Sequence, residues 1–120
     1  MVAHTRQKIP SQLIDLDFVA QLIDAIGTED YCSLVVTLTQ EVDVHVCNIE
    51  QRAAAGETAR VKETAHRLAG LLSQFGAFEV ASAAERLQLA NEPKDVLRLA
   101  TAMSRLCRAS MSAISDLHAA

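Results

Sequence analysis

The sequence predicts an all-α protein: an up-down-up-down four-helix bundle with a short extra N-terminal helix. Three observations carry this reading. Apolar residues recur at intervals of three and four along most of the chain, the period of an amphipathic helix. Half of the 120 residues are hydrophobic but only 3% are aromatic, and there is no Trp. Such an Ala- and Leu-rich composition suits helices better than the β-branched and aromatic strands of a sandwich. The four Gly and two Pro stand mostly where one periodic stretch gives way to the next. Connections are therefore short and consecutive helices are antiparallel neighbours. A chain of this length forms one domain with a continuous core.

Residues 1–10 are polar, locally basic through His4, Arg6 and Lys8, and end in a helix-breaking proline. They are expected as a tail or linker remnant, with residues 11–120 as the bundle domain. A first short helix is expected from Ser11, with Leu16, Phe18, Val19, Leu22, Ile23 and Ile26 as its apolar band. Asp15 and Asp17 are available as its caps, and Gly27 ends it. Leu13 and Ile14 fall off that band, which leaves them open to partner contact or to packing at the end of the bundle. Thr28-Glu29-Asp30 offers a capping hydroxyl and two acids to a second helix, expected to run to about Ala55. Its apolar face is Tyr31, Val35, Leu38, Val42, Val46, Ile49 and Ala53. Gly56 closes it.

The third helix is expected from Glu57-Thr58 to about Phe75, with Gly76 as its terminator, and the fourth from about Ala77 to Ala90. Asn91-Glu92-Pro93 then supplies a cap and a proline suited to a first helical turn. The last helix is expected to bury Val96, Leu99, Met103, Leu106, Ser110, Ile114 and Leu117.

The net charge of −4 argues against nucleic acid, whose binders need a basic surface. No apolar run approaches the ~20 residues of a bilayer span, and the first residues lack signal-peptide architecture. The expectation is a cytoplasmic chain that makes no membrane contact of its own. Cys32, Cys47 and Cys107 are odd in number, widely spaced and without zinc-ligand pattern, so they read as reduced thiols acting as small hydrophobes. His45 follows Glu41 by one helical turn, but two ligands without convergent partners do not make a metal site. None is expected.

The chemistry concentrates in Thr64-Ala65-His66-Arg67-Leu68-Ala69-Gly70, continued through Leu71-Leu72-Ser73-Gln74-Phe75-Gly76. On a helix, Val61, Ala65, Leu68, Leu72 and Phe75 form one apolar stripe, and His66 lies roughly 140° from its centre. It shares that side with Lys62, Glu63, Ala69, Gly70 and Ser73. Gly70 costs a helix interior ~1 kcal/mol relative to Ala. Because helical side chains lean toward the N-terminus, its missing side chain uncovers the imidazole one turn before it. An open ring beside a bare turn suggests that something large must reach the ring.

Ala65-His66-Arg67-Leu68-Ala69-Gly70, with Phe75-Gly76 and a following helix ending in Leu87-Gln88, resembles the histidine phosphotransfer (HPt) family. That family's usual core is A-H-x-L-K-G, with a second glycine six residues on, and both glycines are in register here. The resemblance implies that His66 is a phosphoryl acceptor that takes its group from a receiver-domain aspartate and passes it to another receiver. It implies a phosphoryl carrier rather than a self-contained enzyme, with no autokinase activity and no cofactor bound by this chain. Mg²⁺ is expected on the partner receiver. Partners are receiver domains or a hybrid sensor histidine kinase, and the chain would be cytoplasmic even as the end of a membrane-anchored kinase.

Two departures from the pattern matter. Ala69 stands where the family has a lysine that offsets phosphate charge, so Lys62 and Arg67 are the candidate substitutes. Gln88 occupies the position of an amide or carboxylate that steadies the ring's second nitrogen. Leu71 and Leu72 replace small residues. Together with Leu13, Ile14, Ala69 and Ser73, Leu71 is a candidate for partner docking. The alternative is a docking module that binds a receiver or kinase without being phosphorylated, and it rests on Ala69, Leu71 and Leu72.

Overall fold

The computed structural model describes residues 13–119, and the expected tail of residues 1–10 lies outside them. Among the described residues these helices follow in order: α1 Leu16–Ile26, α2 Thr28–Ala54, α3 Thr58–Ser73, α4 Phe78–Leu89 and α5 Pro93–Ala119. Among the described residues there is no strand. Helix α2 packs on α3, α3 on α4 and α4 on α5, and α5 closes back on α2, while α1 leans on α2. This is the predicted four-helix bundle with one added helix.

The α2 core face is the predicted one residue for residue: Tyr31, Val35, Leu38, Val42, Val46, Ile49 and Ala53 are all buried. The stripe on α3 is likewise buried, and Thr64 and Ala69 join it. Helix α5 differs from the expected face. Val96, Met103, Ser110 and Ile114 are buried, but the positions between them are filled by Ala100, Cys107 and Met111, while Leu117 is exposed and Leu99 and Leu106 are only half-buried. Both sets share a seven-residue repeat, and the small side chains of Ala100 and Cys107 let α5 approach its neighbours more closely than leucines would.

The helix ends also depart from expectation in places. Asp15 caps α1 as predicted, its carboxylate accepting from the Phe18 amide at 3.0 Å. Thr28 does not cap α2; it is already the first helical residue, and Gly27, at φ 89°, occupies the cap with no side-chain bond. Pro93 is the first residue of α5, where its missing amide hydrogen costs nothing.

Leu13 and Ile14 belong to the interior. Ile14 is 1% exposed in the main core, and Leu13 packs against that core half-buried. Ile14 is therefore withdrawn as a docking residue: the Asp15 amide donates to the Gly76 carbonyl at 2.8 Å, and this ties the chain before α1 to the turn after α3 and turns Ile14 inward. Phe18 completes the clasp, packing edge-on against Phe78 with ring centroids 5.2 Å apart. Gly76 permits it, since its φ of 79° favours glycine and a Cβ would stand 3.0 Å from Phe18 Cδ1.

Cys107 is buried, and burial pushes its thiol up to about 12, consistent with an inert core side chain. Cys32 is half-buried and Cys47 is exposed, so of the three only Cys107 acts as a core hydrophobe. Burial also raises the Tyr31 phenol, whose hydroxyl has no hydrogen-bond partner among the described residues.

Candidate functional site

His66 sits on the outer side of α3, exposed. The helix is fixed at both of its ends. At its start the Arg52 guanidinium at the end of α2 pairs with Glu57 at 2.8 Å, and the Glu57 amide donates to the Arg52 carbonyl at 2.9 Å. At its end the Asp15–Gly76 clasp holds the following turn. Apolar burial of Val61, Ala65, Leu68 and Leu72 turns the opposite side of α3 inward, which leaves the imidazole facing out.

Gly70 has ordinary helical backbone, and a Cβ built there would meet nothing within 4 Å. Among the described residues neither a turn nor close packing requires a glycine at this position. That separates Gly70 from Gly27, Gly56 and Gly76, all of which have positive φ. A residue that weakens its own helix without serving the fold keeps the surface beside the ring bare.

The ring lies on the ridge between two grooves. One, of about 420 Å³, runs between α2 and α3 and is lined by Glu41, His45, His66, Arg67, Gly70, Leu71 and Gln74. The other, of about 390 Å³, runs between α3 and α4 and is lined by His66, Ala69, Gly70, Ser73, Glu85 and Gln88. The structure thus brings Arg67, Gly70, Leu71, Ser73, Ala69 and Gln88 around His66.

It places several candidates differently from expectation. Leu72 is 0% exposed and faces the core, while Ala69, at 6% exposed, contributes only a sliver to the floor of the α3–α4 groove; of the expected apolar surface beside the ring mainly Leu71, half-buried, remains. Lys62 directs its ammonium away, donating to Asn91 Oδ1 beyond the end of α4 at 2.9 Å. The Gln88 amide donates to the Ala84 carbonyl at 3.5 Å, within its own helix rather than to the imidazole.

Sequence reasoning missed Glu41, His45 and Glu85 as neighbours of the ring. Glu41 and His45 are one turn apart on α2, beside its buried stripe, but only the register between α2 and α3 reveals what they face. Among the described residues no cluster of three or more His, Cys, Asp or Glu is placed to hold a metal ion, and no helix is long and apolar enough to cross a membrane.

Comparison with known proteins agrees with this geometry. The family model described as Hpt domain matches residues 33–116, which takes in most of α2, all of α3 and α4, and most of α5. No curated protein and no solved structure matches the chain. Hpt domains work in phosphorelays by histidine phosphotransfer and interact there with receiver domains. The chain belongs to the Hpt domain family.

Proposed function

We propose that this chain is a phosphorelay carrier that accepts a phosphoryl group on His66 from the phosphoaspartate of one receiver domain and passes it to another. The observation that carries the reading is an exposed imidazole next to Gly70, whose absent side chain nothing in the fold explains.

The chemistry asks little of the chain. The lone pair of the imidazole nitrogen, taken to be Nε2, attacks phosphorus in line with the leaving aspartate oxygen. The N–P bond forms while the P–O bond breaks, and the carboxylate departs with the electron pair. The proton on the other ring nitrogen stays in place, so no general base is needed. A loose transition state of this kind depends on positioning and on charge stabilisation. Mg²⁺ and a lysine on the receiver supply most of the latter. Arg67 is the cation of this chain that lines a groove beside the ring, taking over the charge-offsetting part that Ala69 cannot play; Lys62 braces α3 against the end of α4 instead. Gln88 and Ser73, which line the groove on the other side of the ring, steady its second nitrogen on this reading once Gln88 turns from the Ala84 carbonyl. The chain acts in the cytoplasm, with free-standing receivers or with a hybrid sensor kinase.

Incubation with a phosphorylated receiver tests the reading. An acid-labile, alkali-stable label that disappears in His66→Gln is expected. Tight receiver binding with no label on the wild-type chain would instead identify a docking module and refute the carrier.

A further inference from the structure

Resting on His66 as acceptor, the geometry points to the α2–α3 groove as the side on which the phosphoryl group is carried, with His45 donating to it from α2. The two grooves flanking His66 are of similar size, about 420 and 390 Å³, and each is large enough for a phosphoryl group. Their charge differs. The α3–α4 groove holds the Glu85 carboxylate and no lysine or arginine, its other polar side chains, Ser73 and Gln88, being neutral. Lys62, on the same outer side of α3, is engaged by Asn91. A phosphoryl group turned to that side meets a like charge.

In the α2–α3 groove the single acid, Glu41, is matched by the Arg67 guanidinium, and His45 adds an imidazole. An imidazole presents at least one N–H donor in either protonation state, and hydrogen bonds to ionised oxygens are stronger than neutral ones. His45 is half-buried and lines this groove from α2. With the phosphoryl group on this side, the second nitrogen of His66 faces Ser73 and Gln88. The two grooves then divide the work, one holding the anion and the other the ring.

Phosphoramidate, a small donor that needs no receiver, tests this directly; its P–N bond breaks as the His66 N–P bond forms, and ammonia leaves. Wild-type chain is expected to take label at His66. Loss of a hydrogen bond to a charged group predicts that His45→Phe labels about tenfold more slowly. His45→Asn keeps a donor and should stay within about threefold of wild type, and Glu85→Gln within about twofold. Circular dichroism of each variant monitors the fold. Wild-type rates in His45→Phe overturn the inference while leaving the carrier reading intact, and so does an equal loss in His45→Phe and His45→Asn, which would assign His45 to packing. Faster labelling of Glu85→Gln with His45→Phe unaffected places the anion in the other groove. A wild-type chain that takes no label from phosphoramidate or from a phosphorylated receiver removes both readings.

Discussion

Replacing Gly70 sets stability against function. Its backbone is helical and a Cβ there meets no atom within 4 Å, so alanine enters without strain. The substitution removes the entropic cost of a mid-helix glycine, a gain of roughly 0.5–1 kcal/mol. For a domain of this size that corresponds to a rise of about 2–4 °C in Tm, measurable by thermal or urea denaturation. Atoms added here stand in the mouth of both grooves, and a side chain longer than alanine's leans back over His66. Transfer from a phosphorylated receiver should therefore fall, modestly in Gly70→Ala and by about tenfold or more in kcat/KM in Gly70→Leu, a loss of ~1.4 kcal/mol of transition-state binding. Gly27→Ala and Gly56→Ala provide the contrast: at φ 89° and 76° each should lose about 1–2 kcal/mol of stability. A Gly70→Ala chain less stable than wild type, or a Gly70→Leu chain that passes phosphoryl groups at the wild-type rate, refutes this role for the glycine.

Three further outcomes follow from the packing and the charges. Arg67→Ala should slow receiver-dependent transfer severalfold, and Lys62→Ala, which loses a bond to Asn91 rather than a contact at the ring, should change it little; quenched-flow labelling of the two variants decides between them. Ile14→Ala should cost about 2–5 kcal/mol in denaturant unfolding, yet leave transfer unchanged at temperatures where the variant is folded. Cys107 gives a pH signature. Its folded thiol is held up to about 12 against 9.0 for an ordinary cysteine on the same scale, so its contribution is intact below pH 9 and is lost as pH rises toward 12. Linkage gives roughly 1–2 kcal/mol lost by about pH 10. Chemical denaturation at pH 7.5 and 10 should show this slope reduced in Cys107→Ala, and an unchanged slope would remove the assignment.

The fold is legible in the sequence wherever spacing alone decides burial. On α2 the three-and-four rhythm names each core residue because large apolar side chains repeat without a break along one face, whereas the exposed Leu34, Val36 and Val44 keep no such period. On α5 two faces share Val96, Met103, Ser110 and Ile114, and hydrophobicity favours Leu99 and Leu106, whereas close packing selects Ala100 and Cys107. Sequence cannot weigh interhelical distance, so the expected and observed faces part there. Ile14 escapes sequence reasoning for a related cause: its burial depends on the Asp15–Gly76 clasp, a contact between segments about sixty positions apart. At the candidate site, the exposure of His66 and the oddity of Gly70 follow from one helix and are readable from it. That Leu72 belongs to the core follows from the same stripe. The two grooves, and the presence of His45 and Glu85 in them, depend on how three helices are registered against each other. No single-helix argument reaches them.

The contacts at the two ends of α3, Arg52 with Glu57 and Asp15 with Gly76, tie that helix to the end of α2 and to the segment before α1. On the proposed carrier reading, an imidazole mounted on a helix tied down at both ends would present the same face to donor and acceptor. Net traffic would then be set by mass action, through the relative abundance and phosphoryl potential of whichever receivers are charged.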